Sequence, residues 1–159
     1  MCTLIEARTA KFNPVNVATT FRTLLQSLRD GGPRRVVERA LQSMEAAALR
    51  TIDTFGAQEV SNNLHIIVKT RYSPWDRTLI PELEGRTEAV AGTFNTQDVA
   101  NALWAYVTMG RESGAGMMRE LEGRSEALAG TFKVQEVANT LRANTTMGGT
   151  GMTVFACLT

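Results

Sequence analysis

The sequence predicts an all-α fold, an α-solenoid of tandem helical hairpins, from three observations. A motif recurs at a period of about 40 residues, its apolar positions fall on one face of a 3.6-residue helix, and no segment alternates with the period of two that a strand requires. The motif reads Phe-x-x-Gln-x-Val and starts at Phe55, Phe94 and Phe132, at spacings of 39 and 38 residues. A worn copy starts at Phe12, 43 residues before Phe55, with Val15 in place of the glutamine and Thr19 in place of a later asparagine. Between motifs, residues 82–94 read ELEGRTEAVAGTF and residues 120–132 read ELEGRSEALAGTF. Two differences in thirteen positions mean duplication rather than chance.

The repeats divide the chain into about 3.5–4 units. Residues 1–11 read as the partial second helix of a preceding repeat, 12–54 as repeat 1, 55–93 as repeat 2 and 94–131 as repeat 3. Residues 132–148 read as the first half of repeat 4, and 149–159 as an irregular tail.

Seven helices follow in order. Helix 14–28 is the first helix of the worn copy. Helix 34–52 begins after Pro33 and carries the stripe Leu41, Met44, Leu49. Helix 57–70 carries Val60, Leu64 and Ile67, spaced as one helical face. Helix 77–91 carries Leu79, Leu83 and Val90, with Pro74 and Pro81 near its start and Gly92 closing it. Helix 96–109 carries Val99, Leu103 and Tyr106 or Val107. Thr96 is placed to cap its start, Gln97 and Asp98 lie in its first turn, and Gly110 offers a left-handed stop. Helix 115–129 carries Met117, Leu121 and Leu128 and closes at Gly130; helix 133–147 carries Val137 and Leu141 and closes at Gly148. Short connections make neighbours antiparallel hairpins, and one hairpin buries its apolar face only by stacking on the next.

Composition narrows the function classes. The chain has 159 residues, 43% hydrophobic and 21% charged, which is an ordinary globular balance in one domain or one short array. A net charge of +1 supplies no overall electrostatic footprint for nucleic acid or an anionic membrane. No run of about 18 apolar residues exists, so no membrane span is expected. Cys2 and Cys157 lie near opposite ends and form no CxxC pair, which fits a reducing compartment. His65 is the only histidine, and with two distant cysteines it makes no metal set. The glycine runs at 114–116 and 148–151 lack the lysine and the preceding strand of a phosphate loop. No nucleophile–base pair stands at a useful spacing, and Glu82, Glu84 and Glu88 read as solvated helix charge. The expectation is a binding protein with no catalytic residue, metal, cofactor or small-molecule substrate.

The string Phe94-x-x-Gln97-x-Val99-Ala100-Asn101-x-Leu103-Trp104-Ala105, ending Met109-Gly110, resembles the octotricopeptide repeat, and the 38-residue period agrees. The resemblance runs from Phe12 to Gly148. Such helical-hairpin repeats are abundant in algal organelle proteins and are related to those of FAST-kinase-like and RAP-domain proteins. The resemblance implies sequence-selective binding of single-stranded organelle RNA, in support of its maturation, stability or translation. It implies that the first helix of each repeat lines the RNA-facing surface, and it implies a chloroplast or mitochondrial location. The chain departs from the family pattern in showing no transit peptide and no RAP domain, and in carrying tryptophan only at Trp104.

Two columns of residues are candidate RNA contacts. The pairs Gln58 and Asn62, Gln97 and Asn101, and Gln135 and Asn139 stand four apart on one helix face. They suit hydrogen bonds to base edges, as in helical repeats that read about one base each. The competing account is a ladder between repeats that satisfies loop and helix-end backbone groups. The second column holds Arg22, His65, Trp104 and Arg142, four side chains able to stack on a base. Here the competing account is a packed tryptophan with exposed replacements. Arg86 and Arg124, matched on the second helices, read either as phosphate contacts or as surface partners of Glu82 and Glu120 four residues earlier. Besides RNA binding, a protein–protein scaffold and a truncated repeat fragment without independent activity remain open. A basic groove favours the RNA reading; an apolar groove favours a protein partner.

Overall fold

The computed structural model describes residues 11–74, 76–110 and 115–133. Expectations for the partial N-terminal helix, the helix at 133–147 with Gln135, Asn139 and Arg142, and the tail lie outside them, Lys11 and Lys133 apart. The described residues form six α-helices and no strand: α1 Pro14–Arg29, α2 Arg34–Thr51, α3 Ala57–Lys69, α4 Leu79–Val90, α5 Thr96–Met109 and α6 Ala115–Ala127. The first helices of successive repeats stack α1 on α3 and α3 on α5; the second helices stack α2 on α4 and α4 on α6. Each hairpin also packs internally, giving the two-layer pile of a solenoid.

The helix starts follow from local hydrogen bonding. Asn13 caps α1, its Oδ1 accepting from Asn16 N at 2.8 Å, with Pro14 in the first turn, where a missing N–H costs little. At α3, Gly56 N donates to Glu59 Oε2 at 3.1 Å. At α5 the cap is Asn95 rather than Thr96. Its Oδ1 accepts from Asp98 N at 2.9 Å, while Asn95 N donates back to Asp98 Oδ2 at 3.3 Å. Thr96 has a usable oxygen, but the reciprocal pair needs its carboxylate three residues on, and only Asn95 has one there.

The joints between repeats are copies of one another. A single 3-10 turn, Ile52–Thr54 after α2 and Ala91–Thr93 after α4, delivers the motif phenylalanine in extended backbone. The threonine of the joint donates to the carbonyl three residues back in three copies: Thr54 to Thr51 at 2.6 Å, Thr93 to Val90 at 2.7 Å and Thr131 to Leu128 at 2.6 Å. Gly92 lies inside the turn without a left-handed backbone, and Asp53 fills the same place one repeat earlier, whereas Gly130 is left-handed at φ +83°.

Phe55 and Phe94 are both completely buried, in equivalent places one repeat apart. Full burial of such a side chain contributes about 1.5–3 kcal/mol. Phe132 packs on the last described hairpin in the same sense. One apolar cluster runs through α1 to α4 and takes in Ala105 of α5; a second joins Phe94, Val99, Leu103 and Tyr106 to Met117 and Leu121 of α6. Val90 and Met109 touch both, so the seam is continuous.

Polar side chains lock each hairpin and join neighbouring ones, and here the sequence expectations need correction. Arg86 Nε donates to the carbonyl of Phe55 at 2.7 Å, and Arg124 Nε donates to that of Phe94 at 2.8 Å. Neither pairs with the glutamate four residues earlier in its own helix. Each reaches about 30 residues back across its hairpin to the carbonyl that the extended phenylalanine leaves outside any helix. Glu84 is buried, not solvated, while Glu82 and Glu88 are exposed. Its counterpart one repeat earlier, Glu45, is also buried and accepts from Tyr72 Oη at 2.6 Å and Asp76 N at 3.0 Å. Ser61 Oγ donates to Asp98 Oδ1 at 2.8 Å, a buried bond from α3 to α5.

Candidate nucleic-acid interface

Stacking α1, α3 and α5 side by side brings most of the described candidate residues onto one surface. A pocket of about 280 Å³ opens between them, lined by Arg22 of α1, by Asn62, His65 and Lys69 of α3, and by Gln97 and Asn101 of α5. These come to the same surface because they hold matched places in the repeat and the repeats stack in register. Gln58, exposed on α3, and Trp104, half-buried on α5, lie outside the lining. Lys69 is a lining residue that sequence reasoning missed. Its signal was available: it stands four residues beyond His65 on the same helix face.

The asparagines and glutamines of the first column do not form a ladder among the described residues. Among the described residues, the side chains of Gln58, Asn62, Gln97 and Asn101 have no hydrogen-bond partner within the protein. Their amides keep both donors and acceptors for something outside it. Asn63, one residue from Asn62, bonds to a helix carbonyl instead, Nδ2 to Glu59 O at 2.7 Å.

In the second column, His65 and Trp104 are in contact. The His65 ring lies 4.7 Å from the Trp104 ring, centroid to centroid, at 40° between planes. Arg22 and Lys69 are close enough to act on the imidazole: burial first, then Lys69, then Arg22, hold its pKa below the ordinary 6.5. His65 is therefore neutral at pH 7, with one ring nitrogen a donor and the other an acceptor. Its Nδ1 is buried with no hydrogen-bond partner. Trp104 is half-buried and packs against the larger apolar cluster, so it serves the core as well as the column.

Comparison with protein-family models and with curated proteins found no match to this chain.

The charge of the groove differs from that of the chain. A near-zero total hides a local excess, because Arg22 and Lys69 enter the lining and no carboxylate does. Among the described residues, no three His, Cys, Asp or Glu side chains group in a way that could hold a metal ion. No described helix is long and apolar enough to cross a membrane.

Proposed function

We propose that the chain is an RNA-binding helical-repeat protein that holds single-stranded RNA along its first-helix surface and acts in organelle RNA processing, stability or translation. One observation carries the reading: unspent amides, an imidazole and two cations converge on one groove with no carboxylate in its lining, and the Trp104 ring packs against that imidazole. A base has the His65 ring to stack on, backed by Trp104, and amide groups for its edge at Asn62, Gln97 and Asn101. Arg22 and Lys69 supply positive charge for the flanking phosphates. A pocket of about 280 Å³ falls just below the range of about 300–1,000 Å³ for drug-sized ligands, which suits one nucleotide better than a large molecule. The groove is polar and basic, so it favours RNA over the apolar contact a protein scaffold would need. The organelle assignment rests on the octotricopeptide resemblance.

The test is fluorescence anisotropy with short single-stranded RNAs from 25 to 200 mM KCl. Wild-type binding should weaken with salt. Arg22→Ala should flatten the salt dependence by about 0.7 in log–log slope, the value for one phosphate neutralised on a single strand. Trp104→Ala should weaken binding at every salt concentration with the slope unchanged, by about 5- to 150-fold if one stacked base is lost. No binding at 25 mM KCl, or indifference to both changes, would remove RNA as the ligand.

A further inference from the structure

A second pocket, of about 450 Å³, lies at the turn end of the first two hairpins. There the C-terminal ends of α1 and α3 meet the N-terminal end of α2. Its lining carries three arginines from three different segments, Arg29, Arg34 and Arg71, and one carboxylate, Glu38. Two of the arginines are partly engaged. Arg29 Nε meets Asp30 Oδ1 at 3.4 Å, and Arg34 Nε donates to Glu38 Oε1 at 2.8 Å. Each bond uses one of the five N–H donors of a guanidinium. The α2 N-terminus has no side-chain cap and no acidic residue in its first turn.

Arg71 is the decisive residue. Its φ of +54° makes it the only non-glycine with a left-handed backbone among the described residues. One repeat later the same place holds Gly110, at φ +61°, the residue that this turn prefers. Among the described residues the Arg71 side chain has no hydrogen-bond or ion-pair partner. A side chain held in a disfavoured backbone without a partner points to a role outside the fold. Complementing the negative end of α3 does not account for it, since Lys69 already stands in the last turn of that helix.

We infer that this pocket is a phosphate-binding site, separate from the base groove, and that the phosphate it takes belongs to the backbone of the same RNA strand. Arg22 and Arg29 lie two turns apart on α1, about 10 Å at 1.5 Å per residue, so one strand can reach both. The source of the phosphate rests on the RNA reading above; the pocket's affinity for phosphate does not.

Arg71→Gly separates the possibilities because it removes the guanidinium and relaxes the backbone together. Its melting temperature should rise, while affinity for single-stranded RNA should fall on the order of five- to tenfold at 50 mM KCl. The salt slope should flatten by about 0.7, because one phosphate is no longer neutralised. A parallel titration of the full chain with inorganic phosphate, against chloride at equal ionic strength, is read from the backbone amide shifts of Thr70 to Ser73. Shifts there without RNA binding would support the pocket and refute the RNA source. Shifts there with RNA binding unaltered by Arg71→Gly would assign the pocket to free phosphate. RNA affinity and salt slope unaltered in the variant, with no phosphate shifts in wild type, would overturn the inference while leaving the base groove standing.

Discussion

Replacing Arg86 by methionine keeps an apolar stem of similar reach and deletes the guanidinium that holds the Phe55 carbonyl. The bond is short, 2.7 Å, and its acceptor belongs to a residue whose side chain is fully buried. A hydrogen bond to a charged group contributes about 1.5–3 kcal/mol. Arg86 is half-buried, so water softens the loss, and about 1–2 kcal/mol is the expected destabilisation. For a chain of this length that is a fall in Tm of about 2–8 °C. The assay is urea unfolding followed by circular dichroism at 222 nm, with Glu82→Ala as the control. If the bond to Phe55 is what matters, Glu82→Ala stays within about 0.5 kcal/mol of wild type. The matched change Arg124→Met should cost a similar amount, and the two losses should add, because the two bonds share no partner. An unchanged Arg86→Met midpoint, or an equal loss in Glu82→Ala, would mean that the arginine acts within its own helix after all.

Three further outcomes follow from the polar contacts. Ser61→Ala removes a buried donor from Asp98 and should lower stability by about 1–2 kcal/mol in the same urea assay, with Ser61→Thr tested for partial retention. Tyr72 has its pKa raised above the ordinary 10.0 by burial, then by its hydrogen bond to Glu45, then by the charges of Glu45 and Glu38. The unfolded phenol gives up its proton from about pH 10 while the folded one keeps it, so the Tyr72 contribution is intact below pH 10 and lost as pH rises above it. The stability gap between wild type and Tyr72→Phe should thus be flat from pH 8 to 9.5 and narrow by pH 11, and a gap that widens there would contradict the assignment. The lone imidazole, followed by proton NMR, should titrate below 6.5. Lys69→Ala should raise its midpoint more than Arg22→Ala does, since Lys69 acts on it more strongly. Because the unfolded histidine takes up a proton that the folded one resists, its contribution to stability is full above 6.5 and falls away at lower pH. A wild-type midpoint at or above 6.5 would contradict the burial seen at His65.

The helices were legible in the sequence because one signal was written several times. Val60, Leu64 and Ile67 could mark either a helix face or chance; the same face at Val99, Leu103 and Tyr106 removes the doubt. The groove was legible for the same reason, since matched positions in stacked units must lie side by side. What escaped was contact beyond the residue's own helix. Arg86 and Glu82 stand four apart, so local spacing suggested a pair, whereas the true partner is 31 residues away. The usable clue was that Phe55 with Arg86, and Phe94 with Arg124, recur at nearly the same separation. Glu84 escaped because a glutamate on a helix is usually solvated, although its alignment with Glu45 and Glu122 marked a position under a shared constraint. Arg71 gave no periodic signal, since it fills a place where the neighbouring unit has glycine.

The clasp at Glu45 gives the array a direction. The carboxylate sits on the second helix of one unit, while both donors shown for it, the Tyr72 hydroxyl and the Asp76 amide, belong to the loop of the next. At this joint the first unit carries the hook and its successor the eye. Taking the second unit away would strip the Glu45 carboxylate of both these donors and of its cover, so the first unit is built to be followed.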